Sequence, residues 1–267
     1  MKIISWNVNG IRARWSHLID IIKKIGPDVL LIQETKVSMI DFAEYNKELN
    51  DLGYNVELNP NEHSGHHGTA IITKHTALLD YSEIIVPGRV QLIALECGWT
   101  IYSAYINQGQ SVDSEEYVNK FKTLADLDAS IKEHIDYHHP ILVGGDFNIT
   151  PTENDVWSKD HWHEGVIACT PKEREAFKNL LDENSLYLVE SCNNIKHTWY
   201  PYRHTWRKYK DGMRTEHTGK YGITIDHILT NIISINRAEL LEDYRIPVVE
   251  SQDTTSDHLP IYWSIYE

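Results

Sequence analysis

The residues in this chain best suited to chemistry are polar groups placed where apolar runs stop. Asn7 closes Ile3-Ile4-Ser5-Trp6, Glu34 closes Val29-Leu30-Leu31-Ile32-Gln33, and Asp146 and Asn148 follow Ile141-Leu142-Val143-Gly144-Gly145. Asp226 and His227 sit inside Ile223-Thr224-Ile225-Asp226-His227-Ile228-Leu229, and Asp257-His258 precede Leu259-Pro260-Ile261-Tyr262-Trp263. A carboxylate inside an apolar strand is strongly disfavoured unless paired, and His258 is the partner expected for Asp226. One Asp or Asn at a strand end reads equally well as a turn former. Five such places, Gly144-Gly145-Asp146-Phe147-Asn148 and Ser256-Asp257-His258 among them, favour a shared site. Hard oxygen donors without a thiolate or paired-imidazole signature select Mg2+, with Mn2+ able to substitute. A Mg2+ held by one or two carboxylates, with water and a substrate phosphate completing its octahedron, suits phosphodiester hydrolysis. The 15 histidines include the cluster His63, His66 and His67 and the neighbours His161 and His163, but no HExxH or Cys/His finger spacing supports zinc. Gly65-His66-His67-Gly68 reads either as a loop beside a cleft, where neutral imidazoles donate to phosphate oxygens, or as a plain surface loop.

Such residues converge only if strands carry them to one rim. β-branched and aromatic runs bounded by turn residues predict strands at 3–8, 29–33, 54–58, 69–73, 91–96, 100–106, 140–144, 223–230 and 260–265. Helical spacing predicts helices at 16–25, behind a Ser16 cap and stopped by Gly26-Pro27, at 114–135, and at 172–181 after Thr170-Pro171. Many strands with few helices predict an α/β layered sandwich. With no Pro-rich, Gly/Ser-rich or single-charge block to divide it, the chain reads as one domain over 1–267.

The composition agrees with that architecture. The chain has 267 residues, 41% of them hydrophobic, and a net charge of −14 from 25 Lys+Arg and 39 Asp+Glu. That is enough apolar material for a full core, which excludes disordered and fibrous classes. The apolar runs fall far short of the ~18 residues a membrane span requires. Ile3-Ile4-Ser5-Trp6 is too short for a signal-peptide core, so a cytoplasmic or similarly reducing location is expected. Cys97, Cys169 and Cys192 lie too far apart for a CxxC pair and read as ordinary thiols.

Taken in order, Ser5-Trp6-Asn7-Val8-Asn9-Gly10-Ile11-Arg12, Gln33-Glu34-Thr35-Lys36, Gly88-Arg89-Val90, Gly144 to Ile149, Thr170-Pro171-Lys172-Glu173-Arg174, Ile225-Asp226 and Ser256 to Pro260 resemble the successive motifs of the exonuclease III family of AP endonucleases, in the endonuclease/exonuclease/phosphatase superfamily. The resemblance implies a deoxyribonuclease I-like four-layer α/β sandwich, two packed mixed sheets flanked by helices, with the active site at one end. It also implies that Glu34 holds the metal with Asn7 and Asp257 close by, and that Asp146 orients or deprotonates the attacking water. Asn148 would help stabilise the pentacovalent phosphate, and His258, oriented by Asp226, would contact the scissile phosphate or share in proton handling. Tyr105 matches the family tyrosine near the leaving group, and Arg89 lies in a motif expected to meet DNA.

The chain also departs from the family pattern. Ile106-Asn107-Gln108-Gly109 replaces the usual aliphatic-Pro-Asn-Gly, which leaves Gln108 where the family has a phosphate-contacting Asn. Ile223-Thr224-Ile225 removes an Arg from the expected pocket wall. The segment between Trp199 and Ile225 looks longer than usual, and residues 196–220 overlap it. They carry seven bases, Lys196, Arg203, Arg207, Lys208, Lys210, Arg214 and Lys220, against Asp211 and Glu216. Trp199, Tyr200, Tyr202, Trp206 and Tyr209 are interleaved with them. In an acidic chain this segment reads as a DNA-gripping loop, cations meeting phosphates and rings stacking on bases or filling an abasic gap. The expected function is a Mg2+-dependent phosphodiesterase acting as a monomer on abasic or nicked duplex DNA, incising 5′ to abasic sites and trimming 3′ ends. The alternatives are a superfamily phosphoesterase acting on RNA or a small phosphate ester, and a non-catalytic DNA-binding module.

Overall fold

In chain order the strands of the computed structural model are β1 (Lys2–Asn7), β2 (Val29–Gln33), β3 (Asn55–Asn59), β4 (Thr69–Thr73), β5 (Ala77–Val86), β6 (Val90–Leu95), β7 (Thr100–Tyr105), β8 (Ile141–Asp146), β9 (Tyr187–Leu188), β10 (Trp206–Lys208), β11 (Arg214–His217), β12 (Asp226–Thr230), β13 (Ala238–Leu240) and β14 (Ile261–Ser264). The helices are α1 (Trp15–Ile25), α2 (Met39–Asp51), α3 (Glu115–His134) and α4 (Pro171–Glu183). The structure describes residues 1–61, 65–135, 139–161, 165–189, 195, 197–200, 206–208, 214–217, 221–232, 237–245 and 255–265, with the backbone alone at 79–80, 206–208, 214–217 and 245.

One six-stranded sheet runs β13-β14-β1-β2-β4-β3 and the other β5-β6-β7-β8-β12-β9. The pairs β1/β2 and β7/β8 are parallel, so within each sheet those strands end at the same rim. Strands buried on both faces read as continuous apolar runs, because side chains alternate between faces and both faces need apolar cover. Thus Ile3, Val29, Leu31, Ile101, Leu142 and Ile228 fill the layer between the sheets. Ile4, Trp6, Leu30 and Ile32 face outward among residues of α1 and α2. Tyr102, Ile141, Val143 and Leu229 face the other way, among residues of α3 and α4. Helix, sheet, sheet, helix is the four-layer α/β sandwich.

The same alternation places the polar residues. Stepping by two along the inner face, β1 reads Ile3, Ser5, Asn7, β7 reads Ile101, Ser103, Tyr105, and β8 reads Leu142, Gly144, Asp146. On β12, which runs antiparallel to β8, Asp226 pairs with Asp146 in register. The inter-sheet layer is therefore apolar over most of its length and turns polar at one end. A Cβ on Gly144 would come 2.4 Å from Leu31 Cδ1, so the sheets approach closely just behind the polar end.

Several boundaries differ from the sequence expectation. Helix α1 begins at Trp15 with Arg14 in the cap position and no side-chain cap, so Ser16 lies inside the first turn. Helix α4 does start at the expected Thr170-Pro171, and Thr170 and Glu173 form a reciprocal capping box. Neither α2 nor β5 was anticipated. Helix α2 buries only Phe42 and Leu49 and leaves Met39 and Ile40 exposed, which blurs its stripe. β5 is an edge strand with register shifts and exposed Leu78, Tyr81 and Ile84, so its alternation is broken. The expected strand 223–230 begins regular pairing only at Asp226, while Ile223 makes isolated bridges to Val156 and Trp199. The basic segment is not simply a loop, since β10 and β11 pair as an antiparallel ribbon within it. Among the described residues no helix is long and apolar enough to cross a membrane.

Candidate active site

At the polar end of the seam, Asn7 joins the two sheets. Its Nδ2 donates to Glu34 Oε1 and to Asp146 Oδ2, both at 2.9 Å. Glu34, one residue past β2, holds left-handed backbone (φ 54°) that turns its side chain off the strand path. Its Oε1 also accepts from the Tyr105 hydroxyl at 2.9 Å, and its Oε2 lies 2.6 Å from Lys36 Nζ. Asp146 Oδ1 accepts from the Asn148 backbone N–H at 2.9 Å, and Asn148 Nδ2 donates to Ile106 O at 3.0 Å. His258 Nδ1 lies 2.8 Å from Asp226 Oδ2, while its Nε2 lies 3.8 Å from Asp146 Oδ2. Thr198 Oγ1 donates to Asp226 Oδ2 at 2.6 Å, which holds the carboxylate toward the imidazole. The expected Asp226–His258 pair and the group Asn7, Glu34, Asp146, Asn148 and Tyr105 are thus brought together. Asp257 reaches the group indirectly, its Oδ1 accepting from Asn9 Nδ2 and its Oδ2 from Trp199 Nε1.

Burial sets the proton affinities. Asp146, 1% exposed, is pushed up to about 7, first by burial and then by Asp226 and Glu34, against the pull of His258 and Asn7. Burial alone would lower His258, but the carboxylates of Asp226 and Asp146 outweigh it and lift the imidazole to about 10. Burial likewise opposes ionisation of Glu34, yet hydrogen bonds from Lys36 and Asn7 and the charges of Lys36 and His258 hold it below the usual carboxylate range. The Tyr105 phenol is raised far by burial and by the Glu34 and Asp146 charges, and stays protonated. The centre therefore contains a carboxyl raised toward neutrality, an imidazole held toward its charged form and a phenol donor.

The donors suit a hard divalent cation. Glu34 Oε2 and Asn9 Oδ1 both lie 2.6 Å from Lys36 Nζ, oxygens already gathered about one positive charge. Asp146, Asp226 and His258 also present ligand atoms within 4.8 Å of one another. An oxygen-rich set of this kind fits Mg2+ or Mn2+ chemistry better than zinc. Among the expected DNA contacts, Arg89 lies over the Tyr105 ring at 4.9 Å, with an NH2 nitrogen 3.2–3.3 Å from the His67 ring nitrogens. Burial and Arg89 lower the His67 imidazole, so it stays neutral. Gln108 and Trp199 line a cavity of about 730 Å3 that opens beside Asp146. Arg203 and Lys210 lie outside the described residues, as do His63, His163 and Cys192, and for Trp206, Arg207 and Lys208 the backbone alone is described.

Sequence reasoning gave no role to Asn9, Lys36 and Thr198, which tie these groups together. Asn9 and Lys36 were visible inside quoted motifs; Thr198 carried no signal, because its contact with Asp226 spans 28 residues.

A two-sheet α/β sandwich that gathers acids, amides and an imidazole at one end of its seam is suited to metal-dependent phosphoester hydrolysis. Residues 4–258 match the Endonuclease/Exonuclease/phosphatase family, and the chain belongs to that family. It is 33% identical to exodeoxyribonuclease III of Haemophilus influenzae over 98% of both chains. It is 27% identical to a DNA-(apurinic or apyrimidinic site) endonuclease of Dictyostelium discoideum over 98% of this chain and 69% of the other. Among solved structures it resembles an AP endonuclease from Archaeoglobus fulgidus (TM-score 0.79, 25% identity, 99% of this chain and 98% of that one). It shares the fold of a 3′ phosphatase from Neisseria solved with a product DNA hairpin (TM-score 0.83, 24% identity, all of both chains).

Proposed function

We propose that the chain is a Mg2+-dependent DNA phosphodiesterase, with Mn2+ able to substitute, that incises duplex DNA 5′ to abasic sites and trims 3′ ends in base excision repair. The observation that carries this is the buried Asp146 carboxylate, held by Asn7 and the Asn148 N–H, facing the His258–Asp226 pair at the edge of a partly apolar cavity. The names of the relatives, an exodeoxyribonuclease and an abasic-site endonuclease, support it.

In-line attack on a phosphodiester needs a positioned water, neutralisation of charge on the equatorial oxygens and help for the leaving oxygen. Asp146, its proton affinity near neutrality, orients the water and takes its proton. His258, kept protonated by its two carboxylate neighbours, donates from Nε2 to a phosphate oxygen. Asn148 uses one amide N–H on Ile106 O and offers the second to the same phosphate. Tyr105 stands near the leaving oxygen as a neutral donor. Glu34 and Asn7, with Asp257 held close through Asn9, would hold the metal, which when bound supplies Lewis-acid neutralisation of the phosphate charge. Arg89 and Gln108 at the rim, Trp199 in the cavity wall, and Arg203, Trp206, Arg207, Lys208 and Lys210 of the basic segment serve as DNA contacts.

In this reading 1–267 is one catalytic unit, because both sheets supply reacting groups, and it acts as a monomer, because one chain supplies them all. The exposed, unpaired Cys97 thiol accords with a reducing cytoplasm. The test is a cleavage panel with and without Mg2+: abasic duplex, intact duplex, recessed 3′ ends, single-stranded RNA and a small phosphate ester. Metal-dependent cuts 5′ to the abasic site and shortening of recessed ends are expected. Preference for RNA or the small ester would overturn the substrate, and binding of DNA without any cleavage would overturn the enzyme.

A further inference from the structure

Two of the loops that carry oxygen donors to the centre come from opposite ends of the chain. The first, after β1, continues alongside β2: the N–H groups of Val8, Gly10 and Ile11 donate to the carbonyls of Gln33, Glu34 and Thr35 at 2.8–3.1 Å. Asn9 and Gly10 adopt positive φ (47° and 105°), and the Asn9 N–H donates to Asn7 Oδ1 at 2.9 Å, so the loop turns sharply at the Asn9 amide. The second loop, residues 255–258, has ties of its own. Ser256 Oγ donates to Asn7 O at 2.7 Å, and Asp257 O accepts from the Tyr200 N–H at 3.0 Å. The loops meet where Asn9 Nδ2 donates to Asp257 Oδ1 at 2.9 Å, while Asn9 Oδ1 accepts from Lys36 beside Glu34.

The backbones of the same two loops share one side chain. Arg14 ends the short helical turn Ile11–Arg14 and is only 7% exposed. Its Nη1 donates to Asn9 O at 3.0 Å and its Nη2 to Thr255 O at 2.9 Å, bonds that span 5 and 241 residues. A buried cation is costly unless it is hydrogen-bonded. A planar fork of fixed donors can hold two carbonyls at a set separation, which a flexible ammonium cannot. We infer that Arg14 is a positioning residue: it sets the spacing of the Asn9 loop and the 255–258 loop, and through the Asn9–Asp257 contact it holds the Asp257 carboxylate at the centre that would bind the divalent cation. Its position just after the first motif made it look like one more surface base, because the carbonyl that gives it this role lies on a distant segment. The inference rests on the metal-dependent reading and adds what holds the metal-facing groups in place.

The test measures Mn2+ binding to the full chain without DNA, from the loss of the free-ion electron paramagnetic resonance signal, with a urea midpoint taken on each metal-free variant. Arg14→Met should weaken Mn2+ binding about tenfold or more, since removing a group that orients metal ligands typically costs about 10–100-fold in affinity. Arg14→Lys, able to reach one carbonyl but not to span both, should fall between. The Asp257→Asn chain reports the route. If Arg14 acts through Asp257, adding Arg14→Met to that chain should weaken Mn2+ little further, and losses that multiply in full would overturn the route. A clamp that serves folding alone would lower the urea midpoint and leave Mn2+ affinity at the parent value, which would overturn the inference. Should Arg14→Met fail to fold, Arg14→Lys decides by the same reading. A parent chain that binds no Mn2+ would overturn the metal centre and the inference with it. Cleavage of abasic duplex by the parent chain is scored separately. If it binds Mn2+ but cuts no DNA, the functional reading fails, and the affinity comparison still reports on Arg14.

Discussion

In the proposed reading Asp146 is the base: its proton affinity is lifted toward neutrality by burial, while Asn7 and the Asn148 N–H fix its direction. Asp146→Asn keeps the size and one acceptor but removes the base. Turnover should fall by about 10²-fold or more while DNA affinity changes little, as single-turnover rates and anisotropy would show. A variant that binds poorly and turns over normally would contradict the assignment. His258 and Asp226 act as a unit if the 2.8 Å contact orients the imidazole. The single Ala variants and the double should then lose activity to a similar extent, and multiplicative losses would show separate roles. His227, beside this pair but turned outward against Phe147 and Phe177, carries a pH dependence of its own. Burial holds its imidazole below its ordinary range despite the pull of Asp155 and Asp226. As pH falls through about 6.5 the unfolded chain takes up a proton that the folded chain refuses, so stability present at neutral pH is lost on acidification. In His227→Phe the denaturation midpoint should drop less between pH 7 and pH 5 than in the parent chain.

At the scale of elements, the loops that carry the site are anchored from behind by one lysine. Lys120 on α3 is fully buried and paired with the equally buried Glu173 of α4. Its Nζ also donates to Asn148 O at 2.7 Å and to Gln108 O at 3.1 Å. Glu173 in turn accepts from the backbone N–H groups of Ala168 and Thr170 and caps α4. A charge left alone in such a place is costly. Lys120→Met should therefore destabilise the fold by about 3–5 kcal/mol in urea titration. Lys120→Met with Glu173→Gln should recover part of that loss, because Gln with its carbonyl toward Thr170 keeps the Thr170 capping bonds and removes the charge, at the cost of the Ala168 bond. Equal stability of the single and double variants would show that the pair contributes little. The lysine itself was unremarkable in the sequence, one polar residue within an amphipathic helix. Only the packing of α3 against α4 shows that it faces inward.

For the molecule as a whole, the difficulty is that a chain of net charge −14 must hold a polyanion. Binding then depends on a local positive face and on counterion release. In the proposed reading the segment containing the β10–β11 ribbon, with seven bases against two acids over residues 196–220, supplies that face. Replacing Arg203, Arg207, Lys208 and Lys210 together with Ser should weaken DNA binding and flatten its salt dependence, each lost phosphate contact lowering the log-log slope by roughly 0.9. Turnover at saturating DNA should change much less, since the reacting groups lie on other strands. Affinity and slope unchanged in the four-Ser variant would mean that the DNA is held elsewhere.

Much of this protein was legible in the sequence because local physics decides it. Apolar runs such as Val29–Gln33 and Thr69–Thr73 form strands over the expected residues, since both faces of the strand are buried and nothing competes with the pattern. Gly26 ends α1 in the left-handed conformation that its neighbours disfavour, and Thr170 caps α4. Ordered motifs also pointed to Asn7, Glu34, Asp146, Asp226 and His258 as candidates, because each lies at or near a strand end, where spacing is a local property. Tertiary structure alone decided what those residues touch. Asn7 meets Glu34 and Asp146 across 27 and 139 residues, and Thr198, Lys36 and Lys120 gain their roles only when separate elements meet. It also brought the Trp157 and Tyr221 rings edge to face. Contacts between distant segments depend on how the two sheets stack, and no short stretch of sequence contains that geometry.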